Sequence, residues 1–348
     1  MKNSKHIISQ NITILEALKK INEIDDSPLV LLVIDEEQKM VGTLTDGDIR
    51  RALIKGVGTE EKVYKAMHKN FNHLQKGISD NIINIRTQRA QKMKLVPILN
   101  ENKQIVEIIN LEKFRSKLPI DAVLMAGGKG ERLRPLTEKT PKPLIKVGNK
   151  CIIDYNIDNL ISYGVEHISV TVNYLGEQIE EHFKNKRNGI SVKTVKEPKF
   201  LGTIGSIKFI ETFYHDSVLV MNSDLFTNID YEDFYLHYTE HNADMSVAAV
   251  PYTVKIPYGI FNLEGRNIKG VTEKPTINYY ANAGIYLIKK ELLKLIPEGS
   301  FYNATDFMDK LIREGYSVIR YPISGYWIDI GQHDELERAR DIIKHISN

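Results

Sequence analysis

The sequence is short of cysteine and of long apolar runs. Cys151 is the only cysteine among 348 residues, so a disulfide cannot form within the chain, which fits a reducing compartment. No stretch approaches the run of about 18 apolar residues that a membrane span requires. The N-terminal MKNSKHIISQ lacks the apolar segment of a secretion signal. The sequence therefore predicts a cytoplasmic protein without a membrane segment.

An excess of charge of one sign is also missing. The chain has 47 Lys and Arg against 45 Asp and Glu, a formal net charge of +2, and this surplus is too small to predict a nucleic-acid partner. The positive charge is concentrated instead, because residues 125–146 contain six basic and two acidic residues. A cationic segment in a nearly neutral chain is typical of a site for a small anionic ligand.

The length allows two or three domains, and the first third of the chain contains an internal repeat. Residues 33–53 align without gaps to residues 98–118, at an offset of 65. Each copy has the pattern of a strand, a polar turn, a second strand and a helix, and a helical segment precedes it. One copy alone cannot bury its apolar face, so the two copies are expected to pack together as one domain, residues 1–118.

The repeat resembles a tandem of cystathionine-β-synthase (CBS) domains. The ligand motif of that family is an apolar residue, Gly, two apolar residues, Ser or Thr, any two residues and Asp, and residues 41–48 of the first copy match it. The resemblance implies an adenine nucleotide bound by Gly42, Thr45 and Asp48. The second copy has Glu107, Asn110 and Lys113 at these positions. A packing or dimerising module without a ligand is the alternative.

A second domain is predicted over residues 119–348. The run IDAVLMA, residues 120–126, is continuously apolar, which is typical of a strand buried on both faces of a parallel sheet. Four similar runs follow, with helical patterns such as IIDYNIDNLISYG between them. This alternation predicts an α/β fold with a mainly parallel sheet, whose ligands bind at the carboxyl ends of the strands.

The cationic segment follows the first of these strands, and its glycines do not fit the two commonest phosphate loops. A Walker A loop requires Lys-Ser or Lys-Thr after its glycines, and a Rossmann loop requires a third glycine where Leu133 stands. Pro135 also comes too soon for a helix packed on such a turn. We therefore expect a different glycine loop, whose backbone N–H groups approach phosphate and which delivers Arg132 and Lys142 to the same site.

The pattern G-G-x-G-x-R followed by P-K-P, directly after a buried strand, resembles the signature of the sugar-1-phosphate nucleotidyltransferases. Residues 127–132 and 141–143 have this pattern, and further motifs of the family follow in order to about residue 345. The resemblance implies a Rossmann-like (GT-A-like) sheet and transfer of a nucleotidyl group from a nucleoside triphosphate to a sugar 1-phosphate. It also implies Mg²⁺ or Mn²⁺ as cofactor, and a homo-oligomer is expected.

The family motifs imply roles for particular residues. Arg132 would steady the leaving pyrophosphate, Lys142 the α-phosphate and Lys274 the attacking phosphate. The positions implied for the nucleoside triphosphate are Ala126, Gly127, Gly128, Gly130, Glu197, Gly202 and Thr203. Those implied for the sugar phosphate are Tyr258, Gly259, Glu273, Asn282, Gly284 and Thr305. The metal carboxylates would be Asp224 and Asp329.

Elementary chemistry supports these roles independently. Two highly charged anions must meet, so the main obstacle is their repulsion, which Lys, Arg and a divalent cation offset. Mg²⁺ prefers carboxylate and phosphate oxygens and keeps several waters, so two aspartates are sufficient protein ligands. The nucleophile is a phosphate oxygen that is already largely ionised at neutral pH. A general base is therefore not required, which agrees with the lack of a prominent His or Cys near these motifs.

GTP is the favoured donor, because LGTIG at residues 201–205 resembles the guanylyltransferase branch of the family. The whole chain resembles the glucosamine-1-phosphate guanylyltransferases of legionaminic acid synthesis, which have the same N-terminal tandem. This implies α-D-glucosamine 1-phosphate or a related hexose as acceptor. Donors dTTP, UTP or CTP and acceptors mannose or heptose 1-phosphate stay open. A non-catalytic nucleotidyltransferase-like subunit that senses nucleotides is the alternative from another class.

Overall fold

The computed structural model describes residues 5–24, 28–78 and 81–346. The chain divides into two compact units, Met1–Lys117 and Leu118–Asn348. Leu118 already belongs to the second unit, since its backbone N–H donates to Tyr163 O at 3.0 Å.

The first unit consists of two small mixed sheets, one from each copy of the repeat. Its elements are β1 (Ile7–Ser9), α1 (Ile14–Asn22), β2 (Val30–Ile34), β3 (Met40–Thr45), α2 (Asp46–Ile54), β4 (Leu74–Gln75), α3 (Ile82–Ala90), β5 (Leu95–Leu99) and β6 (Ile105–Asn110). The sheet orders are β1-β2-β3 and β4-β5-β6. Leu32 and Met40 of one sheet share a buried core cluster with Leu95, Leu99 and Ile105 of the other. The two copies therefore pack against each other.

The second copy departs from the predicted pattern after β6. Residues 111–119 form a turn and an extended stretch rather than the expected helix. In the first copy Thr45 and Asp48 form a reciprocal capping box at the start of α2. Asn110 and Lys113 take their places, so the carboxylate half of the box is missing. Asn110 Oδ1 still accepts a hydrogen bond from Lys113 N at 3.3 Å, which closes a single turn.

The second unit alternates strands and helices. Its elements are β7 (Ile120–Ala126), β8 (Lys146–Val147), β9 (Lys150–Cys151), α4 (Ile152–Ser162), β10 (His167–Val172), α5 (Gly176–His182), β11 (Val192–Lys196), β12 (Ser217–Asn222), β13 (Leu225–Thr227), α6 (Tyr231–Glu240), β14 (Met245–Lys255), β15 (Ile260–Glu264), β16 (Asn267–Thr272), β17 (Thr276–Lys289), α7 (Ala304–Arg313), β18 (Val318–Pro322), β19 (Trp327–Asp329) and α8 (His333–Ile346).

The main sheet has seven strands in the order β11-β10-β7-β12-β17-β14-β18. Four of the six neighbouring pairs are parallel, and β17 is antiparallel to both of its neighbours. Ile120, Val123 and Leu124 of β7 are 0% exposed, as expected for a central strand covered on both faces. The predicted α/β fold with a mainly parallel sheet is confirmed.

Two strands of this sheet extend beyond the apolar runs that predict them, DMSVAAV at residues 244–250 and NAGIYLI at residues 282–288. β14 has 11 residues and β17 has 14, and they stay paired with each other from Met245 and Ile288 out to Lys255 and Thr276. The outer halves of both strands are largely exposed. Together with the β15–β16 hairpin between them, they form an extension of the sheet that we call the arm, residues 251–282.

Candidate active site

The site begins at the carboxyl end of β7, where the glycine loop, residues 127–130, leaves the sheet. β7 lies between β10 and β12, both parallel to it, so three strands end at the same edge. A side chain at Gly127 would overlap Glu197 Oε1, and one at Gly130, where φ is +62°, would lie 3.1 Å from Lys142 Cβ. Glycine is therefore required at both positions for the loop to lie this close to Glu197 and Lys142.

The loop forms part of the wall of a cavity of about 650 Å³. Residues implied by the family motifs line this cavity, namely Ala126, Gly127, Gly128, Gly130, Arg132, Lys142, Glu197, Gly202, Thr203 and Asp224. Asn173, Ser206 and Asn222 also line it, and the motifs did not single them out. Asn222 ends β12, so its place at the carboxyl end of a buried strand could have indicated it. Ser206 is 1% exposed and directly follows the LGTIG motif, residues 201–205, so its place next to that motif could have indicated it.

Lys142 and Asp224 line this wall, and Asp329 lies next to them although it does not line the cavity. β13 and β19 pair as an antiparallel ribbon with Leu225 opposite Asp329, which brings Asp224 beside Asp329. Lys142 Nζ forms an ion pair with Asp224 Oδ2 and lies 3.7 Å from Asp329 Oδ1. The Lys142 side chain is only 11% exposed, so its charge acts on both carboxylates with little screening by water.

Lys142 does not fully compensate the two carboxylates. Asp224 Oδ1 is buried and has no hydrogen-bond partner among the residues that the structure describes. Burial and the neighbouring Asp224 charge raise the pKa of Asp329, an effect that Lys142 and Arg132 partly oppose. A buried acceptor without a donor, next to a carboxylate whose charged form is disfavoured, fits a divalent cation held by carboxylate oxygens.

Arg132 lies beside the loop that follows Asp329. A side chain at Gly331 would begin 2.9 Å from Arg132 Nη2, so glycine leaves room for the guanidinium there. Glu335 accepts hydrogen bonds from the backbone N–H groups of Gly331 and Gln332, both at 2.8 Å. These bonds fix the loop at the start of α8. Two cations of the cationic segment, Arg132 and Lys142, thus lie near the carboxylate pair.

Glu197 is a buried carboxylate on the cavity wall. It directly follows β11, and its backbone N–H donates to Val172 O at 3.0 Å. Its Oε2 accepts a hydrogen bond from Leu201 N at 3.1 Å, and its Oε1 lies against Gly127. The residue is 3% exposed, and burial raises its pKa. The carboxylate is therefore held in one orientation, close to the glycine loop.

Gly202 and Thr203 line the cavity and also connect it to α7. Gly202 has a φ of +80°, and a side chain there would lie 2.5 Å from Tyr302 O. Thr203 Oγ1 accepts a hydrogen bond from Ala304 N, the first residue of α7, at 2.9 Å. Both residues therefore hold the start of α7 against the cavity wall, in addition to their predicted role with the nucleotide.

Within the described chain, the residues implied for the sugar phosphate do not line the cavity. These residues are Lys274, Tyr258, Gly259, Glu273, Asn282, Gly284 and Thr305. Most of them lie on or next to the arm, and Tyr258 is 73% exposed. The Asn282 side chain donates to Tyr286 Oη and accepts from Gly284 N, both at 2.9 Å. Gly284 adjoins the wall, because a side chain there would lie 2.6 Å from Asn222 Nδ2.

The polar residues of the CBS-type motif in the first unit form hydrogen bonds within the chain. Thr45 Oγ1 donates to Asp48 Oδ2 at 2.6 Å and accepts from Asp48 N at 3.2 Å. Arg51 donates to the other carboxylate oxygen of Asp48 at 2.5 Å. A side chain at Gly42 would lie 2.8 Å from Met67 Sδ. These three motif residues therefore have structural roles, and nucleotide binding by them stays a prediction.

Comparison with known proteins assigns both units. Residues 121–345 match the nucleotidyl transferase family, and residues 1–55, which contain the first copy of the repeat, match the CBS domain. In the part of the chain that the structure describes, every helix is too short or too polar to cross a membrane.

Individual relatives match mainly over the second unit. A protein of Sulfolobus acidocaldarius, provisionally named mannose-1-phosphate guanyltransferase, is 32% identical over 216 residues, which are 61% of this chain and 60% of the relative. UTP–glucose-1-phosphate uridylyltransferase of a Synechocystis species is 28% identical over 232 residues, 61% of this chain and 60% of the relative. This chain thus spans about 60% of the length of these relatives.

A solved structure shows the same fold. The crystal structure of HddC from Yersinia pseudotuberculosis complexed with GMP-PN has a TM-score of 0.50 and 23% sequence identity, over 64% of this chain and 99% of that one. The family match covers well over half of the chain. The chain belongs to the nucleotidyl transferase family and has a CBS domain at its N-terminal end.

Proposed function

We propose that this protein transfers a guanylyl group from GTP to a sugar 1-phosphate, with Mg²⁺ or Mn²⁺ as cofactor. One observation carries the proposal. A cavity at the carboxyl end of the parallel strands combines a glycine loop, Lys142, Arg132, Glu197 and Asp224, whose Oδ1 is buried without a partner in the described chain, and Asp329 lies next to Asp224. These are the groups needed to hold a triphosphate, a divalent cation and a base.

The reaction joins two anions. A phosphate oxygen of the sugar 1-phosphate attacks the α-phosphorus of the triphosphate, and the bond from that phosphorus to the bridging β-oxygen breaks. Pyrophosphate leaves with the electron pair of that bond. The attacking oxygen is already ionised, so the protein supplies positive charge and orientation rather than a base. Lys142 would stabilise the α-phosphate and Arg132 the leaving pyrophosphate.

Asp224 and Asp329 are the residues that would hold the cation. When bound, the cation neutralises charge on phosphate oxygens. Lys142 contacts Asp224 and lies 3.7 Å from Asp329, so its ammonium can turn to a phosphate oxygen once the carboxylates have another positive partner. The glycine loop can then approach the phosphates with its backbone N–H groups, because residues 127, 128 and 130 have no side chains.

Glu197 supports guanine as the base. The Watson–Crick edge of guanine has two adjacent N–H donors, at N1 and N2, which match the two oxygens of a carboxylate. Uracil and thymine have one N–H between two carbonyl oxygens, and those oxygens would face the Glu197 charge. A buried acceptor that is left unpaired or repelled is costly. A carboxylate at this position therefore favours GTP over UTP or dTTP.

The resemblance favours α-D-glucosamine 1-phosphate or a related hexose, and mannose and heptose 1-phosphates are the competing acceptors. Lys274, Glu273 and Tyr258, with Gly259, lie on or beside the arm. We propose that these residues bind the sugar phosphate.

A matrix of substrates tests the proposal. Pyrophosphate release is measured with GTP, UTP, dTTP and CTP against hexose, hexosamine and heptose 1-phosphates, with and without Mg²⁺. We expect release with GTP and one acceptor class, and its loss on adding a chelator. An absence of release with every pair, from a folded chain supplied with Mg²⁺, would instead favour a non-catalytic nucleotide-sensing subunit.

A further inference from the structure

Asn156 is a buried polar side chain among the apolar residues of α4. It is 2% exposed. The aliphatic residues of the helix that are buried as deeply are Ile152, Ile153, Ile157, Leu160 and Ile161. Asparagine is a poor helix former, and its amide costs free energy when it is buried without partners. An asparagine at this position is therefore tolerated only if its amide forms hydrogen bonds outside the helix.

The Asn156 amide bonds to the backbone on both sides of Asp224. Its Nδ2 donates to Leu225 O at 2.8 Å and, with a longer bond, to Ser223 O at 3.4 Å. Ser223 and Asp224 are the whole link between β12 and β13. Because the two carbonyl groups flank Asp224, one amide holds the backbone from which the Asp224 carboxylate projects.

The same link is also held by the sheet and by the β13–β19 ribbon. Ser223 N and Oγ both donate to Met125 O near the end of β7, at 3.2 Å and 2.7 Å. Asp224 O accepts from Ile330 N at 3.2 Å, just beyond the paired residues of the ribbon. Asn156 adds a tether from a helix, so the backbone of Asp224 is fixed from three directions.

The helix that carries Asn156 also contacts the segment that follows Lys142. Tyr155 Oη donates to Val147 O at 2.7 Å, and Tyr155 is the neighbour of Asn156 in the chain. One turn of α4 is therefore bonded both to the segment of the lysine and to the link of the carboxylate. Lys142 and Asp224 form the ion pair of the site, so α4 helps to set their relative positions.

We propose that Asn156 is a positioning residue that holds Asp224 in place to bind the divalent cation. The inference rests on the proposed function, in which Asp224 and Asp329 are the residues that hold the cation. Two neighbouring carboxylates repel each other, so they hold a cation well only when the surrounding bonds keep them in place. Asn156 supplies such bonds through two backbone oxygens and is not itself one of the proposed ligands.

Binding of Mn²⁺ to the full-length chain without nucleotide tests the proposal. Trp327 is the only tryptophan and lies on β19, close in the chain to Asp329, so Mn²⁺ held by the two carboxylates should quench its fluorescence. Asn156→Leu has nearly the same size but no donor, and it should weaken Mn²⁺ binding by about 10- to 100-fold, as is usual for residues that orient metal ligands. Asp224→Asn should weaken the binding at least as much.

Two other variants of α4 are the controls. Asn159→Ala removes a half-buried asparagine whose side chain, within the described chain, makes no hydrogen bond to residues 223–225. Ile161→Val removes a methylene group from a side chain that is 4% exposed, and it should lower the melting temperature. Both variants should bind Mn²⁺ like the wild type, which separates a loss of stability from a loss of cation affinity.

The outcomes distinguish this inference from the proposed function. Wild-type Mn²⁺ affinity in a folded Asn156→Leu variant, together with weakened binding in Asp224→Asn, would overturn the role of Asn156 alone. Equal quenching, or none, in the wild type and in Asp224→Asn would overturn the cation site as well. If circular dichroism shows that Asn156→Leu does not fold, Asn156→Ser, which keeps one hydroxyl donor, replaces it. An affinity below that of the wild type then supports the proposal, and an unchanged affinity overturns it.

Discussion

The two units differ in whether the polar groups of their motifs all find hydrogen-bond or ion-pair partners within the described chain. Thr45 and Asp48 bond to each other across the first turn of α2. Asp224 and Asp329 share one lysine, and Asp224 Oδ1 has no partner within the described residues. A motif whose groups pair with each other stabilises the fold, whereas a buried charge left uncompensated lowers stability until a ligand binds. Glycine and polar residues in a similar pattern thus have different consequences in the two units.

The largest effect is expected at the carboxylate–lysine group. Lys142→Ala and Asp224→Asn should each lower kcat/KM by about 100- to 1,000-fold, because the first removes a positive charge that would stabilise the phosphate and the second removes a proposed ligand of the divalent cation. Lys139→Ala, in the same cationic segment but outside the cavity lining, is the control and should stay near wild type. Pyrophosphate-release kinetics measure the difference. Equal losses in the Lys139 variant would mean that the general charge of the segment, and not this site, matters.

The second largest effect is expected on the choice of nucleobase. Glu197→Gln keeps the size of the side chain but removes the second acceptor, so the preference for GTP over UTP should fall about 10- to 100-fold, as for the loss of a hydrogen bond to a charged group. The ratio of kcat/KM for the two nucleotides is the readout. A ratio that the substitution leaves unchanged would remove Glu197 from base recognition.

Substitutions of two glycines, Gly42 and Gly128, distinguish a structural role from a role in binding. Gly42→Ala should lower the free energy of unfolding by about 1–3 kcal/mol, because the new methyl group would lie 3.0 Å from the backbone oxygen of His68 as well as against Met67. Gly128→Ala has open space around it, so stability should change by about 0.5 kcal/mol or less, while the KM for the nucleotide rises. Denaturant unfolding and steady-state kinetics distinguish the two. Similar unfolding profiles for both variants would contradict the contrast.

A smaller effect is expected at the cap of α2. Thr45→Ala should cost about 1 kcal/mol of stability, because one N-cap bond is lost. Calorimetry of the full-length chain with AMP and ATP tests whether the first unit binds an adenine nucleotide. Heat of binding in the wild type that is lost in the Thr45 variant would support the predicted adenine nucleotide site. Binding heat that stays the same in both proteins would place the nucleotide elsewhere, and no heat would leave the packing role.

The smallest effect is a gain in stability. The pKa of Asp329 is raised in the fold, so its ionisation destabilises the protein as the pH rises from the usual carboxyl pKa through the raised value. Without a divalent cation, Asp329→Asn should therefore melt at a slightly higher temperature than wild type at neutral pH, with less difference in acid. Thermal unfolding in a chelator across pH is the measurement. A lower melting temperature of the variant at neutral pH would show that the Asp329 carboxylate stabilises the fold.

The sequence predicted the parts of the molecule that depend on local chemistry. The glycine loop, Lys142 and Asp224 come directly after or near buried strands, and a parallel sheet collects such segments at one edge. Ser206 reaches the cavity through a turn that no periodicity marks. β17 extends beyond the apolar run that predicts it, and exposed residues such as Tyr279 and Tyr280 follow no simple alternation. The second copy forms no helix after Asn110, at the place where Lys113 replaces the capping carboxylate.

The β13–β19 ribbon joins Asp224 to a residue near the far end of the chain. As the chain leaves the ribosome, β7, the glycine loop, Lys142 and Asp224 emerge long before Asp329. A nascent or truncated chain that ends before Trp327 can build most of the cavity but lacks its second carboxylate. The proposed activity should therefore arise only after Asp329 has been synthesised, and chains that end before this residue should be inert toward nucleotides even where much of the sheet has formed.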